Sequence, residues 1–251
     1  MTTFEELCKT YQNTPEWHGD VFDKLYQEVQ QTPWLKEHRD FVESAGWGMN
    51  DRPHHASWAA IIETMPETFA HCEIGVYRGQ GISLVGLCAK HYGKRATTVG
   101  VSPFCGTGDS MNGYDKTLNY LADVYIALDK FSVPRDWFVP IKGYSQDWDV
   151  IEKAQAVGPY DLMYIDGSHE YTAVRLDINN YAPMLRKGGI LVMDDSAFFL
   201  NMPEFSQDKG YNRCWKGEKF VSLAVQEWLE PRKDFEHLFA IGHNRVFRKT
   251  Q

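Results

Sequence analysis

Long apolar runs are missing from this chain of 251 residues. No stretch approaches the roughly 18 residues that a membrane-spanning helix needs, and the first residues carry no basic-then-apolar leader. Paired thiols are missing as well. The five cysteines (Cys8, Cys72, Cys88, Cys105 and Cys214) are odd in number and never stand as C-x-x-C, which points to reduced thiols in a cytoplasmic protein. No basic run occurs, and 26 Lys and Arg against 34 Asp and Glu leave a net charge of −8. That balance disfavours nucleic acid as the principal partner. Internal repeats and low-complexity tracts are also absent. What is there is ordinary globular composition, 43% hydrophobic and 24% charged, in a chain long enough to bury a core without disulfides or a structural metal. The expectation is a soluble cytoplasmic protein with neither membrane nor nucleic acid as its partner.

The hydrophobic period changes along the chain. In residues 1–65, Phe4, Leu7 and Tyr11 recur at helical spacing, as do Val21, Leu25 and Val29. Asn50-Asp51-Arg52-Pro53 marks a helix start with proline in the first turn, and that helix runs through Trp58, Ile61 and Ile62 to Met65-Pro66. This region reads as a helical N-terminal extension, a lid or dimerisation element, ahead of a domain at 66–251. From residue 69 short apolar strands alternate with helices, the pattern of a doubly wound, mainly parallel α/β sheet. Strands are expected at 69–76, 97–101, 137–141, 161–165, 189–193, 235–241 and 244–248, with a helix at 218–229. Val174, Ile178, Tyr181 and Leu185 stripe a surface helix that leaves Asp177 off its apolar face, and Lys187-Gly188-Gly189 ends it. The polar and aromatic stretch 196–217 is long for a loop and reads as a lid.

Two places carry chemistry. The first is Glu73-Ile-Gly75-Val-Tyr77-Arg78-Gly79-Gln-Gly81, where a strand turns into a helix. Glycine here lets a ligand approach the backbone without meeting a Cβ atom, although a plain tight βα turn asks for the same residues. The spacing is not G-x-G-x-x-G, and no Tyr-x-x-x-Lys pair supports a dehydrogenase. Glu73 favours a ligand with a cationic amine. The next strand ends in Ser102, where nucleotide cofactors usually meet a ribose-binding carboxylate; Asp109 or Asp115 would have to reach back instead. The second place is Asp166-Gly-Ser168-His169-Glu-Tyr, at the end of an apolar strand, with Ser168 placed to cap a helix that starts at His169. The following strand ends in Asp194-Asp195. Ligands of such sheets bind outside the carboxyl ends of the strands, and three crowded carboxylates call for a divalent cation, Mg²⁺ on all-oxygen ligation. Taken singly, these acids and this histidine also serve as turn caps and solvated first-turn residues.

The Glu-x-Gly-x-x-x-Gly turn, Ile-Asp-Gly-Ser-His-Glu-Tyr and Lys-Gly-Gly-Ile-Leu-Val-Met-Asp-Asp together resemble the class I S-adenosylmethionine-dependent methyltransferases. Within them they resemble the branch of macrolide-sugar O-methyltransferases and cephalosporin-cluster proteins, over roughly residues 69–249. The resemblance implies a Rossmann-like, seven-stranded sheet with an antiparallel last strand, and S-adenosyl-L-methionine and Mg²⁺ as cofactors. It implies a donor site of Glu73, Gly75, Tyr77, Arg78, Gly79, Gly81, Ser102, Ser145, Asp147 and Asp166. Asp166, Asp194 and Asp195 would hold the metal, and His169, with Asp166, would be catalytic as the base. Relatives commonly carry Glu where Asp194 stands, and Ser102 departs further. The implied acceptor is a hydroxyl of a small molecule or sugar, a vicinal diol by the logic of chelation. Rivals are a metal-free methyltransferase relying on His169 alone and a binding module that kept only the fold. Iron-dependent oxidation is disfavoured, since no two-histidine-one-carboxylate triad is visible. His54-His55 reads as a surface helix start in preference to a lid over the donor, and the eight tryptophans, Trp47, Trp148 and Trp215 among them, mostly as packing in preference to an apolar acceptor pocket.

Overall fold

The computed structural model describes residues 1–49, 51–108, 114–198 and 217–251. The expected lid lies mostly outside the described residues, as do Asp109, Cys214 and Trp215. Four helices open the chain: α1 (Phe4–Thr10), α2 (Pro15–Gln31), α3 (Pro33–Ser44) and α4 (Pro53–Glu63). Three of them start on proline, whose missing N–H costs nothing in a first turn. Strands β1 (Thr68–Ile74), β2 (Arg95–Ser102), β3 (Phe138–Lys142), β4 (Tyr160–Ile165) and β5 (Leu185–Met193) follow. Helices α5 (Gln80–His91), α6 (Tyr120–Lys130), α7 (Trp148–Val157) and α8 (Tyr171–Tyr181) connect them. The chain closes with α9 (Lys219–Trp228) and the hairpin β6 (Phe235–Ile241) and β7 (Asn244–Lys249).

The seven strands lie in the order β3-β2-β1-β4-β5-β7-β6. All pairings are parallel except those of β7, which runs antiparallel to both β5 and β6. This is the mainly parallel α/β sheet that the sequence pattern called for, with the Rossmann-like form and antiparallel last strand that the resemblance implied. Every residue of β4 is buried, as a strand covered on both faces must be. Leu162 and Tyr164 join the core beneath the N-terminal helices and α5, while Met163 and Ile165 join the core beneath α7, α8 and α9.

Several local expectations shift. β5 begins at Leu185, so Gly188 (φ +82°) sits inside an irregular strand start instead of ending α8. Helix α8 starts at Tyr171, two residues later than expected, after the Glu170 N–H has donated to Ser168 Oγ. Asp177 is buried, not on a solvated face, because it takes a hydrogen bond from Gln146 in the loop before α7. His54 and His55 are buried as well. Their helix, α4, is enclosed from Pro53 to Ile62 and packs against α2 and α5, so the helix start is interior. Trp47 is buried, whereas Trp148 stands exposed at the start of α7.

The enclosed α4 layer holds an unusual number of imidazoles. His38 bridges His55 (2.9 Å) and Ser83 (2.8 Å), and His71 sits edge-on to Trp58. Burial, with the charge of Arg39 beside His38 and His54, pushes His38, His54 and His71 down to about 3. They are neutral in the fold, whereas in the unfolded chain each takes a proton near ~6.5. Between those values the unfolded chain binds more protons, so stability falls as the pH drops from about 6.5 toward about 3. The loss is about 1.4 kcal/mol per histidine per pH unit. Between about pH 7.5 and 5.5 the wild type should therefore lose about 1.4 kcal/mol more stability in urea unfolding than His71→Phe does; an equal pH response of the two proteins would contradict the assignment.

Candidate functional site

The parallel order places the carboxyl ends of β1, β4 and β5 side by side, with β2 and β3 beyond, and a cleft opens along that edge. Its wall runs from Gly75-Val76-Tyr77 over Ser102-Pro103 to Tyr144-Ser145-Gln146, and its other end is Asp166, His169, Asp194, Asp195 and His243. Gly75 has φ +94°, and a Cβ there would stand 1.7 Å from the Asp166 carbonyl oxygen. The β1 turn therefore touches the end of β4 backbone to backbone, which only glycine allows.

The remaining turn residues divide into those facing the cleft and those behind it. Tyr77 faces it, packed against Tyr114 and Tyr120. Arg78 turns away, its Nε donating to Asp123 at 2.6 Å while its guanidinium lies over Trp47 at 4.8 Å; it ties α6 to the N-terminal segment. Gly79 caps α5 against Val124, and Gly81 admits the Glu73 carboxylate, which would lie 2.4 Å from a Cβ. Glu73 itself sits behind the turn, buried, with one carboxylate oxygen lacking a hydrogen-bond partner. Burial and then the charge of Asp194 push its carboxyl up to about 8.

Ser102 is on the cleft wall, but its hydroxyl is committed: it donates to the Val76 carbonyl (2.9 Å) and accepts from the Phe104 N–H (3.0 Å). Asp115 is exposed and turned to Thr117, so it does not reach back. Ser145 lines the cleft; Asp147 does not, and accepts instead from the Tyr144 N–H. The neighbour that sequence reasoning passed over is Gln146. Its amide nitrogen donates to Ser145 Oγ (2.7 Å) and Asp177 Oδ1 (3.0 Å), which orients it in the cleft wall.

At the acidic end the structure brings together Asp166, His169, Asp194 and Asp195, as the sequence suggested, and adds His243. Asp195 accepts from His169 Nε2 on one oxygen (2.6 Å) and from His243 Nδ1 on the other (2.5 Å). Burial opposes its charge, but these two hydrogen bonds hold its carboxyl well below the usual carboxylate range. Asp166 goes the other way. Burial first, then the charges of Asp194 and Asp195, push its carboxyl well above that range. Asp195 occupies positive φ (+47°), uncommon for a non-glycine residue, and its backbone is pinned by the Glu218 N–H (2.7 Å). Strain held in place this way is a mark of functional sites. Among the described residues, the group whose ligand atoms lie within 4.8 Å of one another is Asp194, Asp195 and His243. Asp166 stands outside that set, beside Asp194.

His243 lay hidden because it is 48 residues from Asp195. The available signal was topological. A strand antiparallel to β5 must begin where β5 ends, and Met193 indeed pairs with Arg245.

Known proteins bear on this geometry. Residues 72–196 match a family described as "Methyltransferase domain". An uncharacterized protein, R132, of Acanthamoeba polyphaga mimivirus is 28% identical over 141 residues, which are 54% of this chain and 57% of that protein. The match thus spans little more than half of the relative's length. An O-methyltransferase from Bacillus cereus, solved with S-adenosylhomocysteine, superposes with TM-score 0.59 at 11% identity, covering 92% of this chain and 99% of that one. The TDP-rhamnose 3′-O-methyltransferase CalS11, an enzyme of calicheamicin biosynthesis, superposes with TM-score 0.54 at 16% identity over 92% and 93%. At such identities the superpositions establish the fold. Residues 72–196 thus resemble a methyltransferase domain, and the chain shares the Rossmann-like fold of these solved methyltransferases.

Proposed function

We propose that the protein is an S-adenosylmethionine-dependent O-methyltransferase, acting on a hydroxyl of a small molecule or sugar with a divalent cation at the acidic end of the cleft. The observation that carries the reading is the juxtaposition, in one cleft, of a glycine turn with an aromatic wall and an acid cluster holding a histidine–carboxylate pair. The turn and the tyrosines Tyr77, Tyr114 and Tyr120 suit a nucleoside, with Gln146 and Ser145 as polar partners. Asp194, Asp195 and His243 suit a cation by their donor chemistry, and Asp166 beside them adds a further carboxylate.

The residues then divide the work. S-adenosylmethionine supplies an already activated sulfonium methyl group. A divalent cation held by the acid cluster would lower the acceptor hydroxyl's pKa and fix its position. His169 donates its Nε2–H to the Asp195 carboxylate, so in the neutral ring Nδ1 is the accepting nitrogen. That nitrogen takes the hydroxyl proton as the acceptor oxygen forms its bond to the methyl carbon and the carbon–sulfur bond breaks. Asp195 holds the imidazole in this tautomer and stabilises the imidazolium that forms. Alignment in the cleft supplies the remainder of the rate.

The same pair supports one second reading. His169 and Asp195 are directly hydrogen-bonded at 2.6 Å, an arrangement sufficient for a base acting alone. Chelation separates the two: activity lost in EDTA and restored by added divalent cation supports the first, and activity indifferent to EDTA the second.

Two outcomes are expected. Isothermal titration of the protein with S-adenosylhomocysteine should show micromolar binding; no binding with or without added cation would remove the methyltransferase reading. With an acceptor found by screening vicinal diols, His169→Asn should lower kcat by roughly 10²–10⁴ and leave S-adenosylhomocysteine affinity within about twofold, since the turn and tyrosine wall are untouched. Equal loss in affinity and turnover would place His169 in donor binding instead.

A further inference from the structure

The local sequence presents the acid cluster as an oxygen site, and the hairpin changes its chemistry. β6 and β7 meet in a two-residue turn, with Ile241 opposite Asn244 and Gly242 at φ +59°. The turn is anchored on both sides. The Ser196 N–H donates to the His243 carbonyl (3.0 Å), tying it to the residue after Asp195, and Asn244 meets His54 in the buried α4 layer (3.3 Å). The His243 side chain is 24% exposed and forms part of the cleft wall. It is therefore held at the cluster and open to the cleft.

We propose that His243 is a nitrogen donor completing a mixed site with Asp194 and Asp195, and that the site takes a first-row transition cation such as Mn²⁺ or Co²⁺ in preference to Mg²⁺. The inference rests on the reading above that the cluster binds a divalent cation, and it names which class. Mg²⁺ prefers oxygen ligands and keeps its waters, whereas an imidazole nitrogen adds affinity for first-row transition cations, least for Mn²⁺ and more for Co²⁺. The ligand atoms of the three residues already lie within 4.8 Å of one another. His169 approaches the same carboxylate from its other oxygen and stands outside that set, so it stays available as the base.

The test uses the full chain stripped of metal. Equilibrium dialysis against Mn²⁺ with about a 100-fold excess of Mg²⁺ should leave about one Mn²⁺ per chain. Pulsed EPR of that sample should show coupling to ¹⁴N. The coupling should persist in His169→Asn and vanish in His243→Asn, with Mn²⁺ affinity lowered by on the order of 10–100-fold. Circular dichroism melts check that both variants are folded, and the wild-type coupling is informative without them. Mn²⁺ bound without ¹⁴N coupling, or displaced by the excess Mg²⁺, overturns this inference and leaves the cation reading standing. Coupling that survives in His243→Asn and is lost in His169→Asn also overturns it. No binding of either ion at millimolar concentration removes both.

Discussion

Like charges crowd the carboxyl ends of three neighbouring strands, and the rest of the site answers to that constraint. Glu73 on β1, Asp166 after β4, and Asp194 and Asp195 after β5 are near enough to perturb one another. In a region that excludes water, charges at such distances cannot all persist unaided. Burial and these neighbours push the Glu73 and Asp166 carboxyls up, whereas Asp195 is held down because two imidazoles donate to it. One cluster thus contains carboxyls pushed up and a carboxyl held down. Separations of that kind distinguish groups that exchange protons from groups that hold charge.

Backbone contacts make the crowding possible. The Gly75 turn lies directly against the Asp166 carbonyl, and Asp195 is kept at positive φ by hydrogen bonds from the start of α9. The N-terminal helices belong to the same construction. α4 is packed into the core that contains Leu162, Tyr164 and Ile190, and its His54 meets Asn244 beside the hairpin turn. Arg78 adds a brace on the other flank, joining α6 to Trp47. The layer that covers the sheet is thereby linked to the hairpin that supplies His243.

Much of the fold and part of the site could be read from the chain alone. Strand β4 declares itself by a short apolar run, and the residue that ends such a run must lie at the sheet edge. Asp166, His169, Asp194 and Asp195 were legible for that reason: each is placed by its own segment. Asp177 and His54 were not. Both were expected at the surface, and both are buried because a neighbouring element covers them: the Gln146 loop in one case, and α2 with α5 in the other. Arg78 looked like a turn residue facing a ligand until Asp123, 45 residues on, claimed its guanidinium.

The sequence by itself determined the alternation of strands and helices, the glycine turn, and the acids at the strand ends, because these depend on residue spacing within one element. Only the tertiary structure decided which of those groups meet. The antiparallel return of β7 carries His243 to Asp195, and Ser102 spends its hydroxyl within the turn. Glu73 is drawn against Gly81 in the first turn of α5 instead of into the cleft. The physical reason is the same throughout: a side chain's partners, and hence its charge and its availability to a ligand, are set by elements distant in sequence that packing brings to within a few ångströms.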